Sequence, residues 1–300
     1  MKFGKVSNPE AVDFTIPEDH PGTKEVFHKY GQTDGQLKVY VGCAKWNRQD
    51  LKNFYPRGTK DELAYYGTQF NAIEMNATFY RIFPEEQFEK WREKVPKGFR
   101  FFPKLPQEIS HFKQLNQVGE VTDRFLAAAI HLEEHLGCFF LQMNERFTPK
   151  QFERLRHFVE SWPQDVRLAV ELRHEDWYSD SEFSKELYEL LEHHGIGNVL
   201  VDTAGRRDLM HMRMTNARPF IRWVGANHSS DYTRLDDWVN RIGLWIEQGM
   251  TELDFFVHQN LEEESPLLAA YLIEKLNEKY GFDLKVPVSL SDLGNQGSLF

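Results

Sequence analysis

Eight short apolar runs recur along the chain: Lys38–Gly42, Asn71–Glu74, Phe99–Lys104, Cys138–Gln142, Arg167–Glu171, Asn198–Asp202, Phe220–Arg222 and Leu253–His258. Nearly all of them end in a polar or charged residue that a buried strand has no structural reason to carry. Most gaps between the runs hold a stretch of helical period, which is the signature of alternating β and α units around a parallel sheet. Eight such units predict an α/β fold: a single (β/α)8 TIM barrel, whose functional groups sit at the C-terminal ends of the strands. The spacing predicts helices over Asp61–Gln69, Pro84–Lys94, Val121–Leu136, Thr148–Trp162, Ser181–His194, Leu235–Gln248 and Ser265–Tyr280. Thr148 and Ser265 each stand before a proline, as helix N-caps do. The gap from Thr203 to Pro219 breaks the rule and reads as a short helix plus a loop.

A barrel of this kind uses about 250 residues as one domain, so the 300-residue chain needs only one core. The expected organisation is an irregular N-terminal extension over 1–36, the barrel over 37–282 and a short C-terminal tail over 283–300. No apolar run reaches the roughly 18 residues of a membrane span, and the N-terminus lacks the order of a secretory signal. The expected location is cytoplasmic. Cys43 and Cys138 have neither zinc-site nor disulfide spacing and read as small buried thiols in a reducing compartment. The formal net charge of −10 argues against a protein that coats nucleic acid through a broad basic face. It leaves room for recognition of phosphate in a cleft.

Along a strand, residues two apart share a face. Glu74 and Asn76 therefore point the same way, as do Glu171 and Arg173, and Lys104, Gln142, Asp202, Arg222 and His258 extend a polar ring drawn from seven strands. Burying so many polar groups costs a few kcal/mol for each one left unpaired, so a ligand site is the economical reading. Glu171, Asp202 and His258 could hold a divalent metal. Three cations in the same pocket, Lys104, Arg173 and Arg222, oppose a cluster of metal ions and favour an anionic or phosphorylated ligand. On this reading Glu74 and Glu171 are the catalytic acid and base, Lys104, Arg173 and Arg222 clamp the anion, and Asn76, Gln142 and His174 orient it. Lys104 is also a candidate Schiff-base nucleophile, given a depressed pKa. Trp46, Tyr80 and Trp177 follow strands one, two and five, where planar rings suit a sugar or a base. No cofactor is called for, and a bound divalent metal stays open.

At these residues the chain resembles the DUF72 family, the YecE-like proteins. The resemblance rests on Val41–Trp46, Asn53–Pro56, Phe70–Tyr80, Trp91, Gly98–Pro106, Ile109–His111 and Val170–Trp177. It implies a single-domain barrel and supplies no reaction. The chain departs from the family where Gln142 is followed by Met143 to Phe147 without a pair of prolines, and where Gln259 and Asn260 replace paired asparagines. At the level of fold such barrels are similar to endonuclease IV and xylose isomerase, which bind metals through strand-end His, Asp and Glu.

The last five residues, Gln296 to Phe300, are similar to the Gln-x-x-Leu-Phe peptide that docks on the bacterial DNA sliding clamp, with Gln296, Leu299 and Phe300 as the contacts. The leading expectation is an enzyme, a hydrolase or lyase, acting on a nucleotide, nucleic-acid or sugar-phosphate ligand and linked through this tail to DNA repair. The alternatives are a non-catalytic nucleotide- or sugar-binding module and a metal-dependent hydrolase.

Overall fold

The computed structural model describes residues 4–31, 37–179 and 181–288. The strands are β1 (Lys38–Cys43), β2 (Ala72–Met75), β3 (Arg100–Pro103), β4 (Phe139–Gln142), β5 (Leu168–Glu171), β6 (Gly197–Asn198), β7 (Leu200–Asp202), β8 (Phe220–Gly225) and β9 (Glu252–Gln259). The helices are α1 (Pro21–Tyr30), α2 (Glu62–Gln69), α3 (Ala77–Tyr80), α4 (Glu85–Arg92), α5 (Gly119–Ala129), α6 (Phe152–Ser161), α7 (Asp176–Ser179), α8 (Ser181–His193), α9 (Ser230–Glu247) and α10 (Ser265–Tyr280).

All pairings are parallel and form a six-stranded sheet, β3-β2-β1-β9-β8-β7, and a three-stranded one, β4-β5-β6. Two seams join them into a ring. Between β3 and β4, bridges link Phe101 to Leu136 and Lys104 to Phe140. The second seam lies within one run of chain, where β6 pairs with β5, β7 pairs with β8, and the intervening Val199 donates to the Val170 carbonyl at 2.9 Å. The eight expected strands are thus present in barrel order, the sixth being divided at Val199.

Alternate residues fill the interior. Phe102, Phe140, Phe220 and Phe256 form its middle layer, with ring centroids 4.8 to 5.8 Å apart. Below them, Arg167 pairs with Glu252 at 2.6 Å and Asp254 at 3.3 Å. Above them lie Glu74, Lys104, Gln142, Glu171, Arg222 and His258, each the next inward residue of its strand.

Helix ends follow local chemistry. The Thr148 N–H donates to the Gln151 side chain at 2.8 Å, a capping box ahead of α6. Ser265, expected as a cap, is instead the first residue of α10, and its hydroxyl donates to Glu262 at 2.8 Å. Only a 3-10 turn, Arg207–Leu209, forms in the sixth gap. Cys43 and Cys138 are both buried and free, and burial pushes the Cys138 thiol up to about 12.

The N-terminal extension departs from the expected irregular segment, because it contains α1. His20 Nδ1 accepts from the Gly22 N–H at 3.1 Å, Pro21 occupies the first turn, and Phe27 packs edge-on to Trp245 at 6.0 Å. With Val26 and Phe27 as its only large buried side chains, the helix has too weak a period to read from sequence and takes its stability from tertiary contact. Ahead of it, the Phe14 and Thr15 carbonyls accept from Arg207 at 3.2 and 3.1 Å.

Asp202 corrects a second expectation. It lies on the opposite face of its strand from the inward Val201, and its carboxylate accepts from Arg234 at 2.9 Å and the Trp238 indole at 2.7 Å, both on α9, and from Arg207. It ties the barrel wall to the helix layer rather than lining the axis. Replacing Asp202 with alanine leaves Arg234, 2% exposed, without this partner. Arg234 keeps Asp231 at 3.0 Å, so a loss of about 1–3 kcal/mol, the cost of buried donors left unpaired, is expected from chemical denaturation, and no measurable loss would remove Asp202 from this role.

Candidate functional site

Arg222, on β8, lies across the top of the barrel at 1% exposure. Its Nε and Nη2 donate to the two Glu74 oxygens at 2.8 and 2.9 Å, and its Nη1 donates to Glu171 at 2.7 Å. The strands present both carboxylates because each stands one inward position above the aromatic layer. Glu74 also accepts from Asn76 at 2.7 Å and lies 2.8 Å from His258 Nε2. A carboxylate only accepts, so that ring nitrogen carries the hydrogen. Glu171 is equally engaged: the Gln142 amide donates to both of its oxygens at 3.0 Å, and Arg173 Nε donates at 2.5 Å.

Burial by itself would raise both carboxyl pKa values, but the neighbouring cations outweigh it. Arg222 and His258 hold Glu74 well below the usual range, and Arg173 and Arg222 hold Glu171 at about 2. Neither group retains a proton to give at neutral pH, and each is a weak base. Glu74 and Glu171, expected as the acid/base pair, here hold guanidinium groups in place. Arg222, expected as an anion clamp, turns its donors to carboxylates inside the barrel.

Lys104 stands apart. Its backbone is pinned on two sides, with the amide donating to the Met75 carbonyl at 3.2 Å and its carbonyl accepting from Thr78 at 2.7 Å. The side chain is 5% exposed, and Nζ donates to Gln142 Oε1 at 2.7 Å. Nζ also lies 4.2 Å from the centroid of the Phe79 ring. Burial first, then the Arg222 and Arg173 charges, bring its pKa down to about 7. Beside it, burial first, then the Lys104 and Arg173 charges, push the His111 imidazole down to about 4. His111 bonds Ser110 through Nδ1 at 2.8 Å and meets Phe79 edge-on at 4.9 Å.

The ring foreseen from the strand ends is thus partly assembled. Glu74, Asn76, Lys104, Gln142, Glu171, Arg173, Arg222 and His258 form one connected cluster. Trp177 does not join it; the ring is fully buried, stacks on Phe147 at 5.7 Å and donates to the Phe147 carbonyl at 2.8 Å, so it packs a loop. His174 turns to Asp176, 3.5 Å away. Trp46 packs edge-on to Trp91 at 6.1 Å. Tyr80 is 71% exposed and, with Phe79, Arg81, Phe112 and Arg124, lines an open groove of about 660 Å³ beside the mouth. Phe79, which like Tyr80 follows strand two where planar rings are expected at the mouth, packs over Lys104; His111 is a site residue that the strand-end reading misses, although it lies in the segment Ile109–His111 of the family resemblance.

The metal alternative loses its donor set, because Asp202 faces the helix layer while Glu171 and His258 face the axis. Among the described residues no three His, Cys, Asp or Glu side chains gather as a metal site. Gln296, Leu299 and Phe300 lie outside the described residues. No helix among the described residues is long and apolar enough to cross a membrane.

Comparison with known proteins agrees with this fold. A family described as "Protein of unknown function DUF72" matches residues 40–289. The UPF0759 protein YecE of Escherichia coli K12 is 26% identical over 262 residues, covering 80% of this chain and 93% of its own. The UPF0759 protein YunF of Bacillus subtilis 168 is 27% identical over 162 residues, 50% of this chain and 55% of its own. A solved DUF72 family protein from Enterococcus faecalis V583 superposes with a TM-score of 0.63 at 20% identity, over 83% of this chain and 99% of its own.

The charges set the pH response. Glu74 and Glu171 have folded values below the ordinary 4.5, so their contribution is full above that pH and is lost as pH falls toward 2. Lys104 acts in a different window: its folded value of about 7 lies below the ordinary 10.5, so the unfolded chain holds the extra proton between them and stability rises with pH there. Urea unfolding at pH 7 and pH 10 should show Lys104→Met flattening that rise. An identical rise in both proteins would mean an ordinary lysine.

Proposed function

The chain belongs to the DUF72 family, a family of unknown function, and from the chemistry at its barrel mouth we propose an enzyme acting on a phosphate-bearing ligand at the C-terminal ends of the strands. Arg173 anchors the phosphate, Lys104 moves the proton, and Asn76, Gln142 and His111 orient the reacting groups. The observation that carries this reading is that protonation of Lys104 leaves the cluster with one more cation than carboxylate. Glu74 and Glu171 are matched by Arg222 and Arg173, and Lys104 adds a further basic group with no carboxylate bonded to it among the described residues. An incoming phosphate fits that balance.

A group with a pKa near 7 both takes and gives a proton at neutral pH, which is what general acid–base chemistry requires. The rival class is a non-catalytic nucleotide- or sugar-binding module. A buried amine held partly neutral lowers stability without helping binding alone, and this favours the enzyme. Calorimetric titration with inorganic phosphate and ribose 5-phosphate tests the anchor. Arg173→Gln is expected to weaken both by about 10- to 100-fold, the worth of a charge-assisted hydrogen bond. Absence of binding by the unaltered protein would overturn the phosphate reading.

We further propose, on sequence alone, that Gln296 to Phe300 docks on the DNA sliding clamp. Surface plasmon resonance should detect clamp binding by the intact chain and none by a chain lacking those five residues. Equal binding by both would dismiss the motif.

A further inference from the structure

The Lys104 amine, whose pKa burial brings down to about 7, is also held in a fixed orientation. Both Glu171 oxygens accept from the Gln142 Nε2 group, so Gln142 must turn Oε1 toward Lys104. A neutral amine that gives one N–H to that oxygen keeps its lone pair and a second N–H for another partner. Phe79 covers one side of the nitrogen at 4.2 Å, and Phe140 lies below at 5.8 Å. Backbone bonds to Met75 and from Thr78 hold the residue in place. Desolvation beside other cations is the environment that turns a lysine into a nucleophile.

We propose that Lys104 Nζ forms an imine with a small carbonyl compound that carries an anionic group. The nitrogen lone pair attacks the carbonyl carbon. The carbonyl oxygen, one amine hydrogen and one proton from solvent leave as water, and the nitrogen keeps its other hydrogen in a C=N bond. No electron donor or acceptor is required. The iminium adds a positive charge to a network in which Glu74 and Glu171 are already matched by Arg222 and Arg173. A phosphate or carboxylate on the substrate offsets that charge, which selects phosphorylated or carboxylated aldehydes and ketones over neutral ones. The anion requirement rests on the phosphate reading given above; the imine does not.

Borohydride trapping tests the proposal. The full chain is incubated with dihydroxyacetone phosphate, ribose 5-phosphate, pyruvate or unphosphorylated dihydroxyacetone, reduced with sodium borohydride, and mapped by peptide mass spectrometry. Lys104 should be labelled at least tenfold faster than any other lysine, with the rate rising as pH passes through 7. Unfolding in urea should abolish the preference, and Lys104→Arg, shown folded by circular dichroism, should lack the label. Labelling by phosphorylated and unphosphorylated probes at equal rates would keep the imine and discard the phosphate anchor. Phosphate binding by calorimetry with no preferential label at Lys104 from any probe would overturn the imine and spare the anchor.

Discussion

The placement of one guanidinium across the barrel governs the rest of the site. Arg222 is removed from water, and a cation there is tolerable only if carboxylates meet it with good geometry. Glu74 and Glu171 do so from β2 and β5, so three strands are fastened through one side chain. That requirement fixes both acids as anions and draws in Asn76, Gln142, Arg173 and His258 to satisfy their remaining lone pairs. The chemical character of Lys104 is what is left after these demands are met. Its neighbours are already paired with one another, and so it is the group whose protonation the surroundings do not support.

Much of the fold was legible because the strand ends announce themselves. Each inward polar residue follows an aromatic or small residue two positions earlier, as Phe102 precedes Lys104, Phe140 precedes Gln142 and Ala169 precedes Glu171. The same alternation warns against Asp202, since the inward side of that strand carries Val199 and Val201. Reading the final residue of an apolar run as inward works only where the run ends on the correct parity. The helix Pro21–Tyr30 was hidden because its order comes from Trp245 and Met212, far away in the chain.

Roles were less legible than positions. A sequence gives residue types but not which partner each one takes, and the chemistry of a carboxylate differs according to whether it meets a proton, a metal or a guanidinium. Two glutamates and an arginine at strand ends were compatible with acid/base work and an anion clamp until their mutual distances were known. Trp177 illustrates the same limit: a tryptophan after a strand can face a ligand or seal a loop, and the Phe147 carbonyl decides for the loop.

The four-phenylalanine layer beneath the polar cluster has a consequence for traffic. Phe102, Phe140, Phe220 and Phe256 fill the barrel below the site and close it toward the N-terminal ends of the strands, which leaves the C-terminal end as the side from which a ligand would come. Entry and exit then share a single doorway. For the proposed enzyme, substrate and product would use that same doorway, which makes their occupancy mutually exclusive and places release among the steps that set the turnover rate.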